Sequence, residues 1–496
     1  MLFRFAAILA LASTAVWADV KLPAIISDHM LLQAGSPARV FGWAEPGESV
    51  TVAFRGQTIT ATTNPQGKWD VWLQPMEPGA AADLRISGKN TITVADVLVG
   101  EVWIGSGQSN MEWLVRNVDN AEKEIAAAVY PQMRLFKVAK RTSPEPLDDV
   151  EGKWEPCSPD SVKDFSAVGY FFSRHLHKKL NVPVGFIATS WGGTPAQAWV
   201  SRGALAADAS LLPVFTDWNK VLDAFPDASA RFAQQMADYD AKRKQSVEPG
   251  RRPVPPMGPG HAHTPSGLFN AMIHPLLPYT IKGATWYQGE TNASKTQAPI
   301  YRRLFETMIL DWRNRWGLGD FPFLFVQLAN FEKAGSPSDW VLVQEAQADT
   351  LELRQTGMAV INDIGNPVDI HPKNKQDVGD RLALAARHLA YKEQQLVFSG
   401  PEFQQATTEG GKMRVWFKRT GGGLKAKGDI LKGFDVAGAD RRFYPAEAKI
   451  EGNTVVVSSP SVTAPLAVRY AWASNPDANL YNAAGLPTSV FRSMRW

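Results

Sequence analysis

One stretch, Glu101-Val102-Trp103-Ile104-Gly105-Ser106-Gly107-Gln108-Ser109-Asn110-Met111-Glu112-Trp113, constrains the fold of this chain more than any other. Val102, Trp103 and Ile104 form a short apolar run of the kind that makes a buried strand. Gly105 and Gly107 are expected to break that strand. Ser109 then stands at the mouth of a tight turn, and the residues after it can continue as a helix. Such a strand, turn and helix would hold the Ser109 hydroxyl at the C-terminal edge of a parallel sheet, where ligands of open α/β sheets bind. A serine placed there is a candidate nucleophile, with the first helical N–H groups available to an oxyanion. The plainer reading is that Ser109 only caps a helix.

The rest of the chain supplies a frame for that stretch. At 496 residues it is too long for one ordinary domain. Residues 1–18 read as an export signal: Arg4 gives a positive start, Phe5 to Val16 is apolar, and Val16 and Ala18 flank a cleavage point before Asp19. The apolar run is too short to be read as a membrane span, and no second one follows, so a soluble protein that is periplasmic or secreted, with no stable membrane insertion, is expected. Residues 19–35 read as an extended lead-in. Residues 36–98 carry short strand-like runs (38–43, 49–54, 58–62, 68–73 and 90–94) and suggest a β-sandwich. Residues 99–395 alternate apolar runs at 102–105, 184–189, 283–287, 323–328 and 358–362 with amphipathic segments such as 169–180 and 300–315. That alternation predicts an α/β unit with a parallel sheet and helices on both faces. Residues 202–250 interrupt it as a helical insertion, and Pro253 to Pro259 reads as a loop near the site. Residues 396–496 return to β character. The single cysteine, Cys157, excludes an intrachain disulfide and reads as structural. A net charge of +3 gives no reason to expect nucleic acid as a partner. Seventeen tryptophans are enough to fill cores and still leave platforms for sugar rings.

Three further stretches bear on Ser109. Ile187-Ala188-Thr189-Ser190-Trp191-Gly192-Gly193-Thr194 is a strand ending in glycines, and the Gly193 N–H is a candidate oxyanion donor. Trp286-Tyr287-Gln288-Gly289-Glu290-Thr291-Asn292 puts amides at the end of a strand, where they serve either an oxyanion or a loop. In Asp363-Ile364-Gly365-Asn366-Pro367-Val368-Asp369-Ile370-His371-Pro372-Lys373, His371 is the best general base. Asp369 lies two positions earlier, on the same side of an extended backbone. His175, His177, His261, His263 and His274 compete for that part. The His261-Ala262-His263 spacing alone does not make a metal motif, and no metal or other cofactor is expected.

Gly-Gln-Ser-Asn-Met, Ser-Trp-Gly-Gly-Thr, Trp-Tyr-Gln-Gly-Glu-Thr-Asn and Asp-Ile-His-Pro-Lys-Asn-Lys occur in the order seen in sialate O-acetylesterase-like proteins, members of the SGNH (GDSL-like) hydrolases, which the chain resembles. The resemblance implies a flavodoxin-like hydrolase core and a serine esterase that removes acetyl groups from carbohydrates. Carried over, Ser109 is the nucleophile, His371 the base, and the Ser109 and Gly193 N–H groups oxyanion donors. The side-chain donor is Gln288, with Asn292 as second choice. Related enzymes often place Asp three residues before the histidine; here Val368 stands there. Asp369 is therefore the preferred third member, with Asp363 or a Ser-His dyad as alternatives. Gln108, Trp191 and Glu290, inside the same motifs, are expected to meet substrate. The expected substrate is an acetylated oligo- or polysaccharide, with a lean toward plant cell-wall xyloglucan or xylan. The alternative is an O-acetylated sialic acid, whose carboxylate would call on a cation such as Arg251, Arg252 or Lys373. A non-catalytic glycan-binding protein on an esterase scaffold and a lipase are readings of other classes. The sequence does not speak to oligomeric state.

Overall fold

The strand that leads to Ser109 is longer than its apolar run suggests. In the computed structural model, which describes residues 19–245, 248–332 and 337–495, it spans Thr91–Gly107. The segment read as an export signal lies outside the described residues. The break expected at Gly105 does not occur. A Cβ on Gly105 would fall 2.1 Å from the Phe186 ring, and one on Gly107 would fall 2.1 Å from the Tyr287 carbonyl oxygen. Gly107 also has a φ of +137°. The two glycines let neighbouring strands close on this one, and the chain turns only after Gly107.

The central sheet runs, in spatial order, Thr356–Ala359, Phe323–Val326, Gly283–Tyr287, Thr91–Gly107, Val184–Ala188, Tyr130–Lys137 and Trp154–Cys157. Every neighbouring pair is parallel except the last. With the final two strands set aside, the other five follow the flavodoxin-like order 2-1-3-4-5. Those two strands were not anticipated because each contains a proline, Pro131 and Pro156, which reads as a breaker. Trp154–Cys157 is the edge strand, and Pro131 falls in the irregularity between Tyr130 and Arg134, before the pairing with Val184–Ala188 begins, so in both places a missing N–H is tolerated.

Along the strands the side chains alternate between two cores. Phe323 and Phe325 join Trp286, Leu304, Phe305 and Trp312, so the helix Tyr301–Trp316 covers one face. Leu324 and Val326 join Trp103, Phe186, Phe171, Phe172 and Leu382, so the helices Ala167–Leu180 and Lys375–Leu389 cover the other. Burial on both faces explains why these strands read as continuous apolar runs. Trp103, Trp154, Trp199, Trp286, Trp312 and Trp340 are fully buried. Each withdraws on the order of 200 Å² from water, so these six are core and not sugar platforms.

The N-terminal strands Ser49–Phe54, Gln57–Thr62 and Gly79–Ser87 form an antiparallel sheet with the first half of Thr91–Gly107. Ala38–Trp43 and Lys68–Leu73 form a second, two-stranded sheet. Val40, Val71, Val52 and Ile86 share one core with Ala284 and Trp286. A boundary at residues 98/99 would therefore cut through a single strand and a single core. The lead-in is also part of this core: Ile25, Ile26 and Met30 are buried, and Leu31–Gln33 pairs parallel with Leu98–Gly100. The insertion contains Arg202–Ala206 and the long helix Pro213–Lys244, which buries only Val214. At the C-terminal end, two four-stranded antiparallel sheets enclose a core of Val415, Val436, Val455, Val457 and Val468. Arg492 ties them to the central α/β unit through a two-pronged pair with Glu345 at 2.8 and 2.9 Å. Among the described residues, no helix is long and apolar enough to cross a membrane.

Candidate active site

Ser109 opens a four-residue helix, Ser109–Glu112, directly after the central strand. Gln108 occupies the cap position, so Ser109 does not serve as the helix cap. Gln108 N–H is held by the Tyr287 carbonyl at 3.0 Å, and its buried side-chain oxygen accepts the Gly289 and Thr291 N–H groups at 3.4 and 3.3 Å. The Gln108 side-chain oxygen thus fixes the turn that follows the neighbouring strand.

The hydroxyl of Ser109 donates to Nε2 of His371 at 2.8 Å, across 262 residues of sequence. No other histidine forms a hydrogen bond with Ser109 among the described residues. His371 is stacked on Trp113, with ring centroids 4.8 Å apart and planes inclined by 15°. Burial and the nearby Lys375 cation hold its pKa below the usual imidazole value, against the opposing pull of Asp369. The ring is therefore unprotonated at neutral pH, the form a base needs.

Asp369 stands beside the other ring nitrogen, its Oδ1 3.8 Å from Nδ1, and its side chain is 45 % exposed. The same oxygen accepts the His371 backbone N–H at 2.9 Å. This is an ion-pair distance and not a hydrogen bond to the ring. Asp363, the alternative third member, is unavailable. It forms two bonds of 2.6 and 2.8 Å with Arg381, and both side chains are nearly buried.

The glycine turn approaches from the neighbouring strand. Thr189 and Trp191 N–H groups bond to the Gly105 and Gly107 carbonyls, which brings Gly192 against Ser109. A Cβ on Gly192 would lie 3.3 Å from the Ser109 Cβ. The Gly192 N–H is taken by the Glu112 carboxylate at 2.6 Å, and Glu112 also pairs with Lys140 at 2.5 Å. Gly193 follows with a φ of +75°. Its carbonyl accepts from His263 Nε2 at 2.7 Å, so His263, four residues beyond the Pro253 to Pro259 run, borders the site. Among the described residues, neither the Ser109 nor the Gly193 N–H has a protein acceptor.

Both amides read as oxyanion donors are spent inside the protein. Gln288 Nε2 donates to the Thr194 carbonyl at 3.2 Å and to Asn292 Oδ1 at 2.7 Å, while its Oε1 accepts from the Tyr301 hydroxyl at 2.9 Å. Asn292 Nδ2 donates to Gln197 and Gln297 at 3.0 and 3.2 Å, and its Oδ1 also accepts the Ala196 N–H at 2.9 Å. A fully buried amide must find partners, and these find them in the segment after the glycine turn, which they brace. Glu290 is likewise turned inward: its Oε1 accepts from Asn110 at 2.6 Å. Of the three residues expected to meet substrate, Gln108 is buried, Glu290 is partly buried with its carboxylate held by Asn110, and Trp191 is half-buried beside Lys140. Trp113, Glu112, Asn110 and Lys375 belong to the site and were not singled out from sequence. All four lie within four residues of Ser109 or His371.

A serine hydroxyl bonded to a histidine at the C-terminal edge of a flavodoxin-like sheet, with unbonded N–H groups beside the serine, is the arrangement of an α/β ester hydrolase. Comparison with known proteins narrows this. A family profile described as "Carbohydrate esterase, sialic acid-specific acetylesterase" matches residues 266–388. The chain is 35 % identical to the sialate O-acetylesterase of Rattus norvegicus over 434 residues, covering 79 % of this chain and 78 % of that one. The Homo sapiens enzyme of the same name is 32 % identical over 431 residues, covering 78 % and 75 %. A crystal structure of a carbohydrate acetylesterase from Xanthomonas citri superposes with a TM-score of 0.83 at 40 % identity, covering 96 % of this chain and all of that one. The chain belongs to the sialate O-acetylesterase family and is a carbohydrate acetylesterase, a carboxylic ester hydrolase.

Proposed function

We propose that this enzyme deacetylates sugars through an acetyl-Ser109 intermediate. The observation that carries the reading is the 2.8 Å bond from the Ser109 hydroxyl to His371 Nε2. His371 takes the Ser109 proton as Oγ attacks the acetyl carbonyl carbon. The Ser109 and Gly193 N–H groups receive the resulting oxyanion. The tetrahedral intermediate collapses, the C–O bond to the sugar breaks, and the sugar oxygen leaves with the proton from His371. A water then gives its proton to His371 and attacks the acetyl group. Acetate departs and the proton returns to Ser109. Asp369 supports the transient imidazolium through space, and Trp113 holds the ring plane.

The names of the rat and human relatives favour an O-acetylated sialic acid over xyloglucan or xylan as the preferred substrate. Arg251, Arg252 and Lys373 are exposed and remain candidates for its carboxylate. One observation speaks for the neutral cell-wall glycan: Lys140, the cation over Trp191, is already neutralised by Glu112. Residues 1–18, read as an export signal, would place the enzyme in the periplasm or outside the cell. The test is acetate release from O-acetylated sialic acids, xylan and xyloglucan, with Ser109→Ala beside the native protein. Release from sialic acids that the variant lacks is expected. Release only from the plant glycans would reverse the substrate preference, and undiminished release by Ser109→Ala would sink the mechanism.

A further inference from the structure

Beneath Ser109 and His371 runs a polar chain that the acetyl-enzyme cycle does not use. Asn110 donates Nδ2 to Glu290 Oε1 at 2.6 Å and to the Ile370 carbonyl at 3.0 Å. One amide therefore ties the residue after the nucleophile to the residue before the base. On its other side Asn110 Oδ1 accepts from the Nζ of Lys375, which is completely buried. The ammonium lies 6.0 Å from the Trp113 ring centroid and 5.2 Å from that of Tyr287. Trp113 is the same ring that stacks on His371. Glu290 Oε2 is buried with no partner among the described residues. Burying a lysine and a glutamate is costly even when they are bridged, and a methionine and a glutamine would fill the same space. Packing alone gives no reason for the charges.

We propose that Lys375, Asn110 and Glu290 form a positioning unit for the reaction. Asn110 fixes the register of Ser109 against His371, and the Lys375 ammonium keeps the imidazole in its proton-accepting form. The inference rests on the reading of Ser109 and His371 as the catalytic pair. The charged groups facing His371 are Lys375 and Asp369; those facing Lys375 are Glu290, through Asn110, and Asp369. Burial lowers Lys375 to about 7 and raises Glu290; the ammonium is still present over the more acidic range in which the imidazole titrates, and there it lowers His371. Trp113 is shared by both groups, its centroid 6.0 Å from the ammonium and 4.8 Å from the imidazole centroid, close enough for the charge to matter in a partly dry site.

The experiment is the pH profile of kcat/KM on a soluble acetyl ester for the full chain carrying Lys375→Met, Lys375→Gln or Asn110→Ala, with melting temperatures in parallel. Loss of the ammonium is expected to move the acid limb upward by about half to one pH unit in both Lys375 variants. Asn110→Ala leaves both charges in place and is expected to lower kcat at least tenfold at unchanged KM. A folded Lys375 variant with an unmoved acid limb overturns the electrostatic part. An undiminished kcat in Asn110→Ala overturns the positioning part, and it decides alone if neither Lys375 variant folds. Ser109→Ala in the same series keeps the two readings apart, because activity surviving there would fell the catalytic assignment and not this one.

Discussion

Replacing Asp369 with asparagine tests how much the third member contributes when it stands at ion-pair distance. The carboxylate is 3.8 Å from His371 Nδ1 and 45 % exposed. At that separation two unit charges interact by about 4 kcal/mol at an effective dielectric of 20 and by about 1 kcal/mol in water. A half-exposed carboxylate lies toward the watery end, so about 1–2 kcal/mol of imidazolium stabilisation is at stake. That converts to a loss of roughly five- to thirtyfold in kcat/KM for Asp369→Asn. A buried, ring-bonded aspartate in a serine triad is worth about 10⁴, so the two arrangements are easily told apart. The pH profile moves in a defined direction as well. Asp369 raises the His371 pKa while burial and Lys375 lower it. Removing the carboxylate lowers the pKa further, the base stays neutral to more acidic pH, and the acid limb moves down. The assay is kcat/KM on 4-nitrophenyl acetate between about pH 4 and 9, with the usual imidazole pKa near 6.5 as the reference. A loss of a thousandfold or more, or an acid limb that moves up, would refute the reasoning. So would an unchanged kcat/KM, which would leave a Ser-His dyad.

Asp363→Asn is expected to act on stability and not on chemistry. It leaves the Arg381 guanidinium, 10 % exposed, without its counter-charge, which costs about 3 kcal/mol or more. The melting temperature falls while kcat per folded molecule stays within a few-fold, and a kcat loss at unchanged stability would return Asp363 to the triad. Gly192→Ala is expected to do the reverse. The added methyl meets Glu112 Oε2 at 3.2 Å and the Ser109 Cβ at 3.3 Å, and displacing the nucleophile by a fraction of an ångström lowers kcat by about tenfold or more. Steady-state kinetics beside a thermal melt separate the two effects, and an unchanged kcat would mean that the glycine turn does not set the serine.

What could be read from the sequence and what could not divide along a physical line. Ser109 and His371 were legible as a pair, and Gly107 and Gly193 as glycines that matter, though Gly107 was expected to break the strand that it ends, because each residue type does something almost alone. A glycine admits a close carbonyl or a positive φ, a serine supplies a hydroxyl, and a histidine titrates near neutrality. The buried strands Gly283–Tyr287 and Val184–Ala188 were legible because burial on both faces writes an unbroken apolar run. The amides were not. Gln288 at a strand end has the same signature whether it faces an oxyanion or a backbone carbonyl. What decides it is the Tyr301 hydroxyl and the Thr194 carbonyl, partners set by the tertiary fold. The Asn110–Glu290 bond spans 180 residues and the Lys375–Asn110 bond 265, so neither leaves a local pattern. The hold on Glu290 was hidden for the same reason: a carboxylate in a motif reads as solvent-facing until a distant amide is found to bond it. Glu112 and Trp113 stood in plain view beside Ser109, but their work is done on Gly192 and His371, each brought in from elsewhere in the chain. In this protein the reacting groups are local chemistry and their alignment is long-range. Substitutions that separate alignment from reactivity, at Asn110, Lys375 and Gly192, therefore bear more directly on the site than deletion of the serine or the histidine.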